Sequence, residues 1–138
     1  ELQRIAELCR NRSIRIVSDE IYHGISYGEP AHSMLEFAPG ALVVNSFSKY
    51  FSMVGWRLGW LLATPELLAR ARAYYANLFL TAPSLSQHAA LAALDSHPEL
   101  QAHVAVYSRN RGLLLQALPI LGLHRQMVHF ICTQISLI

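Results

Sequence analysis

Charge is scarce in this chain. Lys, Arg, Asp and Glu make up 14% of its 138 residues, against 53% hydrophobic, and the formal net charge is +2. The basic residues are scattered, so no stripe is available to follow a phosphate backbone. The densest group, Arg4, Arg10, Arg12 and Arg15, is interleaved with Leu2, Ile5, Leu8 and Ile14. That is the solvated face of a helix rather than a nucleic-acid patch. Cysteine is nearly absent. Cys9 and Cys132 have no metal-ligand spacing and form no disulfide framework, so they read as reduced thiols of a cytoplasmic protein. No apolar run approaches the length of a membrane span, and no signal peptide is visible. The seven histidines show no metal spacing on one face, and there is no Ser/His/Asp triad, P-loop or dinucleotide fingerprint. These absences leave neither nucleic acid nor membrane as an expected partner. The chain opens at Glu1 inside a helical pattern, and it is apolar for a soluble domain. The expectation is an internal piece of a larger core, or a chain with a large subunit interface.

What is present reads as an α/β chain. Leu2, Ile5, Leu8 and Cys9 recur at helical spacing over residues 2–12, and Asn11-Arg12-Ser13 breaks the pattern. Ile14 to Ser18 is short and β-branched, which predicts a strand ending in Asp19-Glu20-Ile21-Tyr22. Tyr27-Gly28-Glu29-Pro30 is turn chemistry, and residues 31–40 read as a loop with a short helical turn at 33–37. Ala41 to Asn45 is a second strand, residues 46–55 a loop, and Trp56 to Ala63 a third strand. Thr64-Pro65-Glu66 starts a helix to about Phe79, with Thr64 as cap and Leu67, Ala71, Tyr74 and Leu78 on one face. Ser84-x-x-Gln87 and Ser96-x-x-Glu99 have capping-box spacing. They predict two further helices, one over roughly 85–95 and one ending near Pro119. No internal repeat or flexible linker is visible.

One stretch is not an arrangement that packing alone requires. It runs from Ser46 to Trp60, with Lys49 between Ser46 and Ser48 on one side and Arg57, flanked by Gly55 and Gly59, on the other. Apolar runs precede and follow it. An amine attacks a carbonyl near neutral pH when it is desolvated or beside a cation. Lys49 stands at the end of an apolar strand and meets both conditions if the loop folds back toward Arg57. Ser46 and Ser48 alternate around Lys49, so on an extended segment they share a face and the lysine points to the other. Hydroxyls and loop amides beside an arginine make a phosphate cradle, and the planar fork of Arg57 matches a phosphate bidentately. The two glycines imply tight backbone packing or close approach of a ligand. Asp19 lies at the carboxyl end of a strand, where ligand groups gather in open α/β sheets. From there a carboxylate can pair with a protonated ring nitrogen, and Tyr22 can donate to a ring oxygen. Taken singly, each residue has an ordinary reading: a solvated lysine, turn serines, a capping aspartate, a half-buried tyrosine. Their convergence points to an aldehyde cofactor carried by Lys49.

Ser46-Phe47-Ser48-Lys49 followed by Gly55-Trp56-Arg57-Leu58-Gly59 resembles the lysine-attachment motif of class I/II aminotransferases, pyridoxal-phosphate enzymes of fold type I. Asp19-Glu20-Ile21-Tyr22 is similar to the family's ring-binding segment. Thr81-Ala82-Pro83-Ser84-x-x-Gln87-x-Ala89-Ala90 resembles the helix that follows it. The resemblance covers residues 1 to about 123. It implies a mixed sheet with flanking helices over 1–80, part of the large cofactor-binding domain, and helices over 81–123 leading into a small C-terminal domain. It also implies pyridoxal 5'-phosphate as cofactor, an amino acid and a 2-oxo acid as substrates, and a homodimer for the full-length parent. Lys49 would carry the cofactor and act as acid and base. Asp19 would pair with the pyridine nitrogen, Tyr22 would bond the phenolic oxygen, and Ser46, Ser48 and Arg57 would bind the phosphate. Several of the family's parts lie outside this chain: a glycine-containing phosphate loop, a ring-stacking aromatic, an asparagine, and an arginine for the substrate carboxylate. The chain alone is therefore expected to be inactive. Residues 124–138 lack the Gly and Pro turn of the family and read as an atypical tail, an altered end or a truncated reading frame. On the same scaffold a C–S lyase or another pyridoxal-phosphate enzyme, a regulator's sensor domain, and a non-catalytic remnant are the alternatives.

Overall fold

A computed structural model of the chain describes residues 1–117. The expected end of the last helix near Pro119, the tail at 124–138 and Cys132 lie outside the described residues. Helix α1 (Leu2–Asn11) closes with a Schellman arrangement, in which Ser13 N–H bonds Arg10 C=O at 3.2 Å and Ile14 N–H bonds Cys9 C=O at 2.8 Å. Ser13 takes the left-handed conformation this requires, with φ 53°. Ile14 is thereby spent on the helix end and is exposed. The first strand consequently starts later than the β-branched run suggests, and β1 is Val17–Asp19.

Strand β2 (Leu42–Ser46) pairs with β1 in parallel, Val17 opposite Leu42 and Asp19 opposite Val44. A parallel pair needs a long crossover, and residues 20–41 supply it. Glu20 fastens that crossover. Its carboxylate is buried, and one oxygen accepts from Ser18 Oγ (3.1 Å), Ser33 Oγ (3.0 Å) and Met34 N–H (2.9 Å). The other oxygen lies 3.3 Å from His23 Nδ1. A buried carboxylate persists when its oxygens are satisfied in this way. The expected helical turn in the crossover is a 3₁₀ turn, Met34–Glu36, started by a complete capping box between Ser33 and Glu36.

Strand β3 (Gly59–Leu62) runs antiparallel to β2, giving a mixed three-stranded sheet in the order β1-β2-β3. It is shorter than the expected 56–63 strand. Val54–Trp56 form a 3₁₀ turn and Arg57 is left-handed, so neither Trp56 nor Arg57 joins the ladder.

Helices α2 (Pro65–Leu78), α3 (Ser84–Leu94) and α4 (His97–Ala117) follow at the expected places, with different ends. Thr64 occupies the cap position of α2 but makes no side-chain cap. The Glu66 carboxylate is held below its ordinary range by its own backbone N–H and then by the Thr64 hydroxyl. Ser84 lies inside α3 with Pro83 as its cap residue, and Gln87 Nε2 donates to Ala82 C=O at 2.8 Å, so no capping box forms there. The Ser96 hydroxyl bonds Ala92 C=O at 3.1 Å. The expected apolar face of α2 is only partly covered: Leu67 and Ala71 are half-buried, whereas Tyr74 and Leu78 are exposed.

Two small cores result. Ala6, Met34 and Ala41 pack beneath α1 with Leu2, Ile16 and Phe37, and Phe47, Met53 and Ala90 pack between the lysine loop and α3 with Phe51, Leu58 and Trp60. The second core carries edge contacts from Trp60 to Phe47 and to Phe51.

Candidate functional site

The lysine loop leaves the end of β2 and folds back on itself. Met53 N–H bonds Phe47 C=O at 3.1 Å, Ser52 N–H bonds Lys49 C=O at 3.0 Å, and Phe47 N–H bonds Leu58 C=O at 3.1 Å. The chain is therefore not extended past Ser46, so the alternation that would set Lys49 on the face opposite the two serines does not apply. Ser46, Ser48, Lys49 and Arg57 line one open cleft of about 720 Å³, together with Val44, Leu61 and Tyr75. That volume lies within the range of roughly 300–1,000 Å³ usual for small-molecule sites.

Ser46 Oγ accepts from Ser48 N–H at 3.1 Å, which leaves the Ser46 hydroxyl proton free to donate. Ser46 N–H is bound by Asn45 Oδ1 at 2.7 Å. The Arg57 side chain is exposed and donates through Nη1 to Val54 C=O at 3.0 Å, so its other N–H groups stay available. Gly59 is required by packing, because a Cβ there would come within 2.6 Å of Asn45 C=O; Gly55 has open space around it. The tight-packing reading of the two glycines thus holds for Gly59 and not for Gly55.

Tyr22 enters from the crossover. The Lys49 ammonium stands 5.5 Å from the Tyr22 ring centroid, a cation–π distance. Asp19 does not line the cleft. Its exposed carboxylate accepts from Ile21 N–H at 3.1 Å. It is paired with Val44, which does line the cleft, so Asp19 projects from the same face of the sheet.

Three residues that hold this site are not singled out by the sequence reading. Tyr50, next to Lys49, receives a hydrogen bond from Gln101 Nε2 at 2.8 Å and lies 3.3 Å from His97 Nδ1. Its ring packs on Gly24, which has φ 94° and whose hypothetical Cβ would meet the ring at 2.6 Å. The buried Ser86 of α3 donates to Trp56 C=O at 2.6 Å. These contacts join residues 26 to 51 positions apart, beyond any periodic signal. One signal was within reach: Lys49 is the sole lysine of the chain.

The donor set fits a phosphorylated aldehyde. One amine, two hydroxyls and a guanidinium with free N–H groups share a cleft, a tyrosine ring stands 5.5 Å from the amine, and a carboxylate projects from the same face of the sheet. Among the described residues no three His, Cys, Asp or Glu stand together as a metal site, and no helix is long and apolar enough to cross a membrane.

The fold and cleft define an α/β segment built around a lysine. The model of the family "Aminotransferase class I and II" matches residues 1–133, and the chain belongs to that family. A valine–pyruvate aminotransferase of Mycobacterium tuberculosis is 42% identical over 129 residues, covering 91% of this chain and 33% of that protein. A (5-formylfuran-3-yl)methyl phosphate transaminase of Methanocaldococcus jannaschii is 35% identical over 106 residues, 73% of this chain and 29% of that protein. Among solved structures, an aminotransferase from Mycobacterium tuberculosis superimposes with a TM-score of 0.81 at 42% identity, covering 86% of this chain and 34% of that one. Aspartate aminotransferase from Thermus thermophilus with maleate gives 0.79 at 32% identity, covering 88% and 33%. The chain thus spans about a third of the length of these relatives.

Proposed function

We propose that the protein containing this chain transfers an amino group from an amino acid to a 2-oxo acid, using pyridoxal 5'-phosphate held at Lys49. The observation that carries this reading is the gathering of Lys49, Ser46, Ser48 and Arg57 in one cleft, with Tyr22 beside the amine. When bound, the cofactor supplies an aldehyde for attachment and a ring that accepts electrons. Lys49 Nζ would be the attachment point, and its amine would serve as the base and acid for the proton of the substrate α-carbon. The Asp19 carboxylate would hold a proton at the ring nitrogen, and the Tyr22 hydroxyl would donate to the ring oxygen. Arg57, with the Ser46 and Ser48 hydroxyls, binds the phosphate dianion.

The same reading places the protein in the cytoplasm as a homodimer. The exposed apolar group at the end of α2, Tyr74, Leu78, Phe79 and Leu80, supports a subunit contact. Residues 1–80 belong in this reading to the large domain and 81–123 to the helices leading into the small one.

The activity is tested by screening amino donors against 2-oxoglutarate with the full-length protein. A transaminase produces glutamate from 2-oxoglutarate for at least one donor. Release of ammonia and pyruvate from a sulfur-containing or hydroxy amino acid, without glutamate, would assign a lyase instead.

A further inference from the structure

Arg57 is the one cleft residue whose backbone is left-handed, with φ 52° and ψ 48°. An arginine has no preference for that conformation, so its surroundings must impose it. On the downstream side Gly59 lies tight against β2. On the upstream side Trp56 N–H is tied to Met53 C=O at 3.2 Å. The carbonyl of the peptide joining Trp56 to Arg57 receives the Ser86 hydroxyl at 2.6 Å. Ser86 is only 4% exposed. It sits on the face of α3 that also bears Ala90, one turn on, which packs against Phe47 and Met53 of the lysine loop. A helix outside the sheet therefore fixes the peptide plane from which the Arg57 side chain departs.

We propose that Ser86 is a positioning residue for Arg57, orienting the guanidinium for phosphate through its hydrogen bond to the Trp56 carbonyl. This rests on the reading of Arg57 as a phosphate ligand, and the test separates the two. The affinity of the full-length protein is measured for pyridoxal 5'-phosphate and for pyridoxal, which lacks the phosphate, in wild type, Ser86→Ala, Arg57→Ala and the double variant. Loss of one buried hydrogen bond corresponds to about a tenfold weakening. Ser86→Ala is expected to weaken the phosphorylated ligand by about that factor, to leave pyridoxal unchanged, and to add nothing when Arg57 is already alanine. Ser86→Cys, which keeps the volume and weakens the donor, is expected to give the same pattern in smaller measure if the alanine variant folds poorly. Equal weakening of both ligands, or a full further loss in the Arg57→Ala background, would overturn the proposal and leave the Arg57 reading standing. An Arg57→Ala variant that still prefers the phosphorylated ligand as strongly as wild type would overturn both.

Discussion

At the scale of single residues, the site depends on contacts that bring distant positions together. Gly24 illustrates this. Its φ of 94° excludes most side chains, and the Tyr50 ring occupies the space where a Cβ would stand. The residue therefore lets the turn after Tyr22 lie flat against the residue after Lys49. Gly24→Ala combines a left-handed backbone with a ring clash, which together cost about 2–3 kcal/mol. The expected outcome is a clearly lower denaturation midpoint, read by circular dichroism, whereas Gly28→Ala, with φ 115° but no neighbour within 4 Å, loses less. The lysine stretch and Arg57, which the fold brings into one cleft, stand out by residue type and spacing, whereas Asp19, singled out in the same way, does not line that cleft. Tyr50, Gly24, Glu20 and Ser86 do not stand out, because a tyrosine, a glycine, a glutamate and a serine of ordinary composition carry no signal until the chain folds. Alternation around Lys49 applies only to an extended chain, and the loop turns immediately after Ser46.

At the scale of elements, local chemistry located each α-helix and strand among the described residues, misplaced several ends and missed the 3₁₀ turn at Val54–Trp56. Ile14 looks like the first residue of a strand, yet the Schellman ending of α1 uses it. Ser84, which has capping-box spacing, does not form a box, whereas Ser33 and Glu36 do. Spacing defines what a box requires and not which competing acceptor is closer. The Ser33–Glu36 turn carries a pH signature. The Glu36 carboxylate is held below its ordinary value, first by the hydrogen bond with the His32 ring, against a desolvation penalty, and further by Ser33 N–H. A carboxylate depressed on folding stabilises fully above its unfolded pKa, and that contribution is lost as the pH falls through the lowered folded value. Glu36→Gln keeps an acceptor for Ser33 N–H and removes the charge. Its urea midpoint is expected to fall less steeply than wild type as the pH drops below about 4.3, the usual glutamate value. Parallel acid limbs in the two proteins would contradict this assignment.

At the scale of the whole molecule, the two small cores leave large apolar side chains uncovered. Val17 and Ile14 flank the sheet edge, and Phe79 and Leu80, 66% and 83% exposed, stand at the end of α2. Such groups mark contacts with other protein surface, consistent with a chain that spans about a third of its relatives' length. The high apolar fraction made this legible in the sequence, although which faces are bare was not, since α2 reads as an ordinary amphipathic helix. In the homodimer proposed above, Leu80→Glu places a charge in the contact. The expected result in the full-length protein is a shift toward monomer at micromolar concentration in sedimentation velocity. An unchanged dimer would remove the end of α2 from the interface.

The central claim is that Lys49 is the point of cofactor attachment. The most direct measurement is to load the full-length protein with pyridoxal 5'-phosphate, reduce it with borohydride, and map the modified peptide by mass spectrometry. A phosphopyridoxyl group is expected on Lys49 in the wild type and is expected to be lost in Lys49→Ala. Modification of a different lysine in the wild type, or a stable adduct that survives Lys49→Ala, would contradict it.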